Sequence, residues 1–416
     1  MKNLYLERYA WPGPRLVKEP PFNTKLIVVI PCFNEPQILA TLDSLYSCET
    51  PECHVEIIIV LNHAENSPEE IKTFNHFTLN AIEEWIKVHT KESISFLLIK
   101  AFDLPKKISG VGLARKIGMD EAVRRFEKLH DKKGVIVCID ADCRCDANYL
   151  LEIYQFYKAH PEANVALVHF EHPLKGELNP DIYEGITNYE LHLRYYKNAL
   201  EFAQFPFSYH TIGSCITVTS DAYQKQNGMN KRKAGEDFYF LQKLFPLGNI
   251  YNINTTTVYP SPRASDRVPF GTGKAINNYL QNKDQDYFTY NPKTFYDLKT
   301  FLGKLKYIYE QKKIESALNE LPLSIKRFLP TIDFINNVLK IKENSSSFYH
   351  FTKAFYQWFN GFAVLKYVHF ARDNFYEDIN ILEAVNLILS DKSEGNIHVN
   401  DKRNALELLR AIDKSQ

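Results

Sequence analysis

The sequence predicts an α/β fold with a mainly parallel sheet sandwiched by helices, followed by a mostly helical C-terminal region. Two observations carry this prediction. Short apolar runs rich in β-branched residues alternate with helically spaced stretches through the first half of the chain, as in strand–helix–strand units. From about residue 290 the strand pattern stops, and amphipathic stretches rich in Phe, Tyr, Lys and Leu continue to the end.

Five apolar runs have the pattern of strands that are buried on both faces. Helices are predicted between and after them, at residues 35–46, 68–89, 114–129, 147–159 and 181–204, and the strands are residues 25–31, 55–61, 95–101, 134–140 and 164–170. Ligands of such sheets bind beyond the carboxyl ends of the strands. The residues directly after each strand are therefore the candidates for a functional site.

The chain is longer than a single hydrophobic core usually organises, so two structural units are expected for its 416 residues. We place the boundary where the strand pattern ends, with an α/β domain at 1–285 and a helical C-terminal region at 286–416. No internal repeat divides the chain further.

The charge balance excludes the class of strongly basic proteins. Lys plus Arg and Asp plus Glu both total 50, so the chain lacks the net positive charge of a nucleic-acid-binding domain, and no nucleic-acid partner is expected. Its seven cysteines form no C-x-x-C pair, which indicates neither a disulfide framework nor a structural zinc site. No signal peptide and no apolar stretch of about 20 residues is found, so we expect a cytoplasmic protein, with contact to the inner face of the membrane left open.

The strongest local motif is Asp140-Ala141-Asp142, at the end of the fourth predicted strand. Two carboxylates at a strand end suit Mg²⁺ or Mn²⁺, whose other positions go to water and phosphate oxygens. Alone, D-x-D is a weak signal, because loop and helix-capping aspartates are equally common.

A glycine-bearing loop, 109–112, precedes Arg115 and Lys116 at the start of a predicted helix. A helix N-terminus with two cations is a plausible diphosphate site, although a tight turn explains the glycines as well. The spacing matches neither the dinucleotide fingerprint nor the P-loop.

Two further stretches carry candidate residues. Glu236 and Asp237 come after a glycine and precede an apolar helix, where one carboxylate could act as a general base, or both could simply favour the helix start. Arg263 and Arg267 lie in a Pro- and Gly-rich stretch and could bind phosphates through forked donors, or form salt bridges between domains.

In combination, and in this order, the motifs resemble the family 2 glycosyltransferases of the GT-A fold, within the nucleotide-diphospho-sugar transferases. The resemblance covers about residues 24–275 and depends on four motifs in register with the strand–helix pattern. They are Pro31 with Asn34-Glu35, Gly112 to Gly118, Asp140-Ala141-Asp142, and Gly235-Glu236-Asp237.

The resemblance implies a hexosyltransferase-like enzyme that moves one sugar from a nucleotide-sugar to an acceptor hydroxyl, with inversion. It implies that Asp142, with Asp140, holds Mn²⁺ or Mg²⁺, that Asp237 is the base and that Glu236 contacts the acceptor. The contacts to the nucleotide and its diphosphate that the resemblance implies are Pro31, Asn34, Glu35, Arg115 and Asp140. The residues themselves add Lys116, Arg263 and Arg267 as candidate phosphate contacts and Asn62 as a candidate base contact.

One departure concerns the nucleotide. Many members carry an acidic Asp-Asp-Gly-Ser-type stretch after the second strand, whereas Asn62-His63-Ala64-Glu65 stands here. An amide offers a base edge a different set of donors and acceptors, so a UDP-sugar is favoured and a GDP-sugar stays open. The Gln-x-x-Arg-Trp signature of polymer synthases is absent, which favours a discrete saccharide, lipid-linked or small-molecule acceptor.

Other functions compete with this interpretation. An NAD-dependent dehydrogenase needs G-x-G-x-x-G after the first strand, and a sugar-phosphate nucleotidyltransferase needs a basic Gly-rich loop there; neither is present. A catalytically degenerate GT-A domain that binds nucleotide-sugars or serves as a scaffold remains an alternative.

In the C-terminal region, the aromatic stretch 347–372 is interpreted as a helix interface with the catalytic domain or with a second copy in a homodimer. The alternative interpretation is a membrane-facing groove.

Overall fold

The computed structural model describes residues 3–13, 15–265, 271–282, 286–311, 313–392 and 397–416. These residues form two compact units, each built from separate segments of the chain. The first comprises Met1–Leu178, Thr211–Asn277 and Asp413–Gln416, and the second comprises Asn179–His210 and Asn278–Ile412.

The first unit contains an eight-stranded sheet with the strand order β3-β2-β1-β4-β7-β6-β8-β5. Its strands are β1 (Thr24–Cys32), β2 (His54–Ala64), β3 (Ile94–Leu104), β4 (Val135–Cys138), β5 (Arg144–Cys145), β6 (Val165–Phe170), β7 (Ile216–Thr219) and β8 (Ile250–Tyr259). The four strands β3, β2, β1 and β4 pair in parallel. The strand β7 is antiparallel to both of its neighbours, while β6 and β8 are parallel to each other.

Helices alternate with these strands along the chain. In chain order they are α1 (Leu4–Arg8), α2 (Ile38–Tyr46), α3 (Glu69–Val88), α4 (Val111–Lys128), α5 (Tyr149–Ala159), α6 (Pro180–Phe202), α7 (Ser220–Lys225), α8 (Glu236–Leu244) and α9 (Thr272–Gln281). The central strands are therefore covered on both faces, and Ile27, Val28 and Val29 of β1 have no exposed surface. Helix α4 approaches β1 closely at Gly118, where an added Cβ would overlap the Val29 side chain.

The predicted fold class is confirmed, with one refinement. All five predicted strands form, and their ends differ from the predictions by at most three residues. The sheet is mixed, because β7 runs antiparallel to both of its neighbours. The strand β8 was not predicted from the sequence. The residues of β8, Ile250–Tyr259, include four β-branched residues in succession from Thr255 to Val258, a strand signal that the sequence does contain.

The second unit is mostly helical. Besides α6 it contains α10 (Pro292–Gly303), α11 (Leu305–Glu310), α12 (Ile314–Leu318), α13 (Leu323–Phe328), α14 (Phe334–Glu343), α15 (Phe348–Trp358), α16 (Gly361–Asn374), α17 (Ile381–Lys392) and α18 (Lys402–Lys414), with the short strands β9 (Phe288–Thr289) and β10 (Ile379–Asn380). Aromatic rings form its core: Phe301 lies 5.4 Å from Phe359 and 5.7 Å from Phe334 between ring centroids. Much of the aromatic C-terminal stretch thus packs inside this unit.

The units interleave along the chain, whereas the sequence suggested a single boundary at 285/286. Helix α6 is grouped with the C-terminal helices because its residues pack there; Glu190 accepts hydrogen bonds from both Arg194 and Arg410. A functional division at 285/286 stays a prediction. Among the described helices, none combines the length and the apolar character that crossing a bilayer requires.

Candidate functional site

Two acids lie directly beyond the carboxyl end of β4, at the middle of the sheet. The carboxylates of Asp140 and Asp142 keep 35% and 23% of their side-chain surface exposed. Ala141 between them is buried, and its carbonyl accepts a hydrogen bond of 2.8 Å from the Thr41 hydroxyl. The amide of Cys143 closes the turn by donating to the Asp140 carbonyl at 3.1 Å. The turn therefore holds both carboxylates at fixed, accessible positions.

Arg115 connects this turn to a second pair of acids. Its guanidinium is almost fully buried and donates through Nη2 to Asp140 and through Nη1 to Glu236. Gly213 makes room for the guanidinium, because a Cβ at that position would overlap it. The Nε atom of Arg115 is buried and has no hydrogen-bond partner within the described residues. Arg115 thus joins the end of β4 to the start of α8.

The helix α8 presents Glu236 and Asp237 in its first turn. Gly235, at φ +66°, provides the left-handed backbone that starts the helix. The side chain of Asn230 donates to the Glu236 carbonyl at 2.8 Å and fixes the preceding loop. Glu236 is buried, whereas Asp237 is half-buried. Of the two acids, Asp237 is therefore the one that an external group can reach.

These acids titrate above their usual range. Burial raises the pKa of Glu236 to about 7, and Arg115 opposes this shift. Burial likewise raises the pKa of Asp237. The physical cause is that a single guanidinium faces three carboxylates, those of Asp140, Glu236 and Asp237, in a place with little water. The cluster therefore binds a proton more readily than free carboxylates do.

Arg263 connects Glu35, just after β1, with Asp142 in the turn after β4. Its two terminal nitrogens donate to the two oxygens of Glu35 at 3.0 and 2.6 Å, a forked pair with a buried carboxylate. The same Nη2 lies 3.6 Å from Oδ2 of Asp142. The segment after β8 is therefore tied both to the end of β1 and to the turn after β4.

The ends of β1 and β2 are joined by Asn75 of α3. Its side-chain oxygen accepts from the Asn34 amide at 3.1 Å, and its Nδ2 donates to the Asn62 carbonyl at 2.9 Å. Asn34 has φ +49°, a left-handed conformation that asparagine tolerates better than most residues. Pro31, within β1, and Asn62, near the end of β2, are both buried. Asn75 was not predicted, although it occupies a position on the apolar stripe of α3 where a polar residue stands out.

A histidine cluster lies at the carboxyl ends of β2 and β3. The ring of His63 stacks on Phe102 with centroids 4.4 Å apart, and its Nε2 lies 3.6 Å from the Asp103 carboxylate. Burial lowers the pKa of His63. Asp103 has φ +53° and keeps 69% of its side-chain surface exposed. This cluster occupies the place after the second strand where the sequence lacks the acidic stretch, and Asp103 was not predicted.

Most of the predicted site residues come together, and one lies apart. Lys116 points away from the site: its ammonium is buried, 3.1 Å from a carboxylate oxygen of Asp120 and 3.1 Å from the Tyr5 hydroxyl. It does not share the acids that hold Arg115. Arg267 lies outside the described residues.

The donor set after β4 fits a hard divalent cation. Mg²⁺ and Mn²⁺ are commonly held by one or two carboxylates, with phosphate oxygens and water as the other ligands, and Asp140 and Asp142 offer two partly exposed carboxylates. No cluster of three or more His, Cys, Asp or Glu side chains suited to a metal is found in the part of the chain that the structure describes.

Comparison with known proteins gives one family match. Residues 27–225 match the family described as glycosyl transferase family 2. This range contains most of β1, all of β2 to β7, the acids after β4 and Arg115. No curated protein matches the chain.

Two solved structures illustrate its structural neighbours. Residues 1–349 of S. aureus TarS, in complex with UDP-GlcNAc, align with a TM-score of 0.40 and 13% identity, over 84% of this chain and 91% of that one. The mannosyltransferase PcManGT from Pyrobaculum calidifontis, in complex with GDP-Man and Mn²⁺, aligns with a TM-score of 0.34 and 12% identity, over 99% of this chain and 91% of that one.

The family match agrees with the motifs and with the sheet on which they lie. Residues 27–225 form a glycosyltransferase family 2 domain, and this domain supports a glycosyltransferase activity.

Proposed function

We propose that this glycosyltransferase moves one sugar from a nucleotide-diphospho-sugar to an acceptor hydroxyl, with a divalent cation, with inversion and with Asp237 as the base. One observation carries the proposal. Arg115 is bound at once to Asp140, after β4, and to Glu236, next to Asp237. The residues suited to the diphosphate and the residue suited to the acceptor are therefore held in one network.

Asp142 would be the main cation ligand, with Asp140 beside it. One oxygen of Asp140 already accepts from Arg115, whereas the Asp142 carboxylate lies at the longer distance of 3.6 Å from Arg263. When bound, Mn²⁺ or Mg²⁺ would supply positive charge next to the departing nucleoside diphosphate. Arg263, whose two terminal nitrogens donate to Glu35, would add positive charge for phosphate oxygens beside Asp142.

Asp237 would accept the proton of the attacking hydroxyl. It is half-buried, its pKa is raised by burial, and a base works best when its pKa lies near the working pH. Glu236 is buried against Arg115, so we assign it to positioning the first turn of α8 rather than to contact with the acceptor. This changes the role that the family resemblance implied for Glu236.

The nucleotide would bind over the ends of β1 and β2. Pro31, Asn34 and Asn62 lie there, and Glu35 fixes Arg263 beside them. The family resemblance favours a UDP-sugar. The Asn62-His63 pair in place of an acidic stretch keeps a GDP-sugar open, because the donors and acceptors that it offers to a base differ.

The decisive experiment combines ligand screening with three variants. Thermal-shift assays with UDP- and GDP-sugars, each with Mn²⁺ and with Mg²⁺, should show stabilisation, because a ligand that binds only the folded state shifts unfolding by mass action. Asp142→Ala should lose the metal-dependent part of the shift. Asp237→Asn should keep the shift and lose sugar release from the donor. Asp131→Asn, at an ion pair with the exposed Lys25, serves as the control.

Two results would contradict the proposal. Full turnover in Asp237→Asn would remove Asp237 as the base. Binding of nucleotide-sugars without any turnover, in the wild type and with every acceptor class tried, would favour the degenerate binding or scaffold domain.

A further inference from the structure

Two exposed loops next to the site carry five cations. Lys106 and Lys107 come after β3, and Lys231, Arg232 and Lys233 precede α8; all five are exposed. We call these five residues the basic rim. The chain as a whole has no net charge, so the basic rim is a local concentration of positive charge.

Close backbone contacts hold the two loops together. The Gly112 amide donates to the Arg232 carbonyl at 3.2 Å. A Cβ on Gly110 would lie 2.7 Å from the Lys233 Cα, and a Cβ on Gly112 would overlap the Arg232 carbonyl. Only glycine allows this approach, so the segment that follows Lys106 and Lys107 is held against the loop that carries Lys231, Arg232 and Lys233.

Carboxylates do not neutralise the basic rim. Across the described ranges, none of its five side chains forms an ion pair; Lys231 lies over the Trp11 ring and Arg232 over the Tyr239 ring, at 5.0 and 3.4 Å from the ring centroids. The nearby Glu65 carboxylate accepts from the backbone amide of Lys106, not from its ammonium. Other exposed lysines of the same unit do pair with carboxylates, among them Lys87 with Glu84, Lys128 with Glu19 and Lys158 with Glu52.

The basic rim borders the acceptor side of the site. Asn230, immediately before Lys231, donates to the Glu236 carbonyl at 2.8 Å. One residue separates Lys233 from Gly235, which starts α8, and Asp237 lies in the first turn of that helix. A molecule that rests on the basic rim therefore lies next to the carboxylate that we assign to the acceptor hydroxyl.

We propose that the basic rim binds an acceptor that carries phosphate groups, such as a phosphate-bearing saccharide, and directs its hydroxyl to Asp237. The proposal rests on the function proposed above. Lysine and arginine are the usual partners of phosphate in proteins, and an array of five cations matches a ligand with several phosphates.

A water-soluble acceptor fits better than a lipid surface. Surfaces that bind membranes combine cations with exposed apolar side chains. The large apolar side chains that are exposed in the described residues lie outside these two loops. Within its own two loops, the basic rim therefore offers charge without a large exposed apolar side chain.

The test uses short-chain inorganic polyphosphate as the probe and isothermal titration calorimetry on the full chain. The variant Lys231→Gln/Arg232→Gln/Lys233→Gln should bind the probe at least roughly tenfold more weakly, because three exposed charge contacts are lost. Lys87→Gln/Lys128→Gln/Lys158→Gln removes the same charge elsewhere and should bind as the wild type does. Binding by the wild type should weaken as salt is added.

Three results would overturn the proposal: equal loss in both triple variants, displacement of polyphosphate by UDP or GDP, or binding to anionic vesicles of phosphatidylglycerol but not to polyphosphate. Displacement would mean that the basic rim belongs to the donor site. Thermal shifts with nucleotide-sugars on the same variants keep the two proposals apart. A wild type that binds polyphosphate but no nucleotide-sugar would contradict the proposed function, not the anion site.

Discussion

Replacing Arg115 with methionine should destabilise the first unit strongly. The substitution keeps an unbranched apolar side chain of similar length but removes the guanidinium that is bound to Asp140 and Glu236. Loss of the guanidinium should destabilise the two ionised carboxylates by different amounts. Asp140 keeps 35% of its side-chain surface exposed and can be solvated by water, whereas Glu236 keeps 4%.

The expected loss of free energy of unfolding follows from the different exposure of these two carboxylates. Leaving a buried charge without its partner costs about 3–5 kcal/mol, and we assign this cost to Glu236. The exposed contact with Asp140 adds about 0–1 kcal/mol. The free energy of unfolding should therefore fall by about 3–6 kcal/mol when Glu236 is ionised.

The loss should depend on pH with a definite sign. The pKa of Glu236 in the folded protein is about 7, above its ordinary value of 4.5, and loss of Arg115 raises it further. Between the two values the folded state binds more protons than the unfolded state does, so stability falls as pH rises. The variant should thus be closer to the wild type at pH near 5 than at pH near 8, because a protonated Glu236 no longer needs a cation.

Hydrogen exchange measured by mass spectrometry on peptides of β4 and α4 reports on this unit separately from the helical one. The matched control is Arg115→Met/Glu236→Gln, which removes both charges and should recover most of the loss. Arg115→Met with wild-type protection at both pH values would refute the network as the source of stability. So would a loss of equal size in the double variant.

Three further outcomes test other parts of the site. Gly213→Ala should displace the Arg115 guanidinium and lower the unfolding temperature, while Gly303→Ala, where a Cβ meets nothing within 4 Å, should not; equal effects would show that the space at Gly213 is unimportant. Donor turnover should fall as pH decreases through about 7, where Glu236 gains a proton and its contact with Arg115 weakens, and it should fall further as Asp237, whose pKa burial raises, is protonated and can no longer act as the base; a rate that is flat down to about pH 5 would contradict this. Asn34→Val should cost roughly 1–2 kcal/mol in chemical denaturation and Asn34→Gly almost nothing, because φ is +49° there; a tolerated valine would show that the backbone relaxes.

Local sequence patterns were sufficient to predict the strands and the polar residues at their carboxyl ends. The apolar runs of β1, β2 and β4 are buried on both faces. Few polar residues are tolerated in such strands, so their pattern is easy to recognise in the sequence. Because parallel strands end at the same edge of a sheet, the alternation alone was enough to place Asn34, Asn62 and Asp140 at that edge.

Side-chain direction was not predictable in the same way. Arg115 and Lys116 are adjacent, and both were assigned to the diphosphate. Successive residues of a helix point about 100° apart, so Arg115 reaches Asp140 and Glu236 while Lys116 reaches Asp120. Which direction meets the site depends on how α4 packs, and that is fixed by contacts such as Gly118 against Val29.

By itself the sequence determined that strands alternate with helices, that acids lie after β4, and that a glycosyltransferase family 2 domain is present. Only the tertiary structure decided that Glu236 is buried against Arg115, that Arg263 binds Glu35, and that two separate runs of cations form one basic rim. The reason is physical: strand and helix formation depend on local periodicity, whereas ion pairs and charged surfaces depend on distances between residues far apart in the chain.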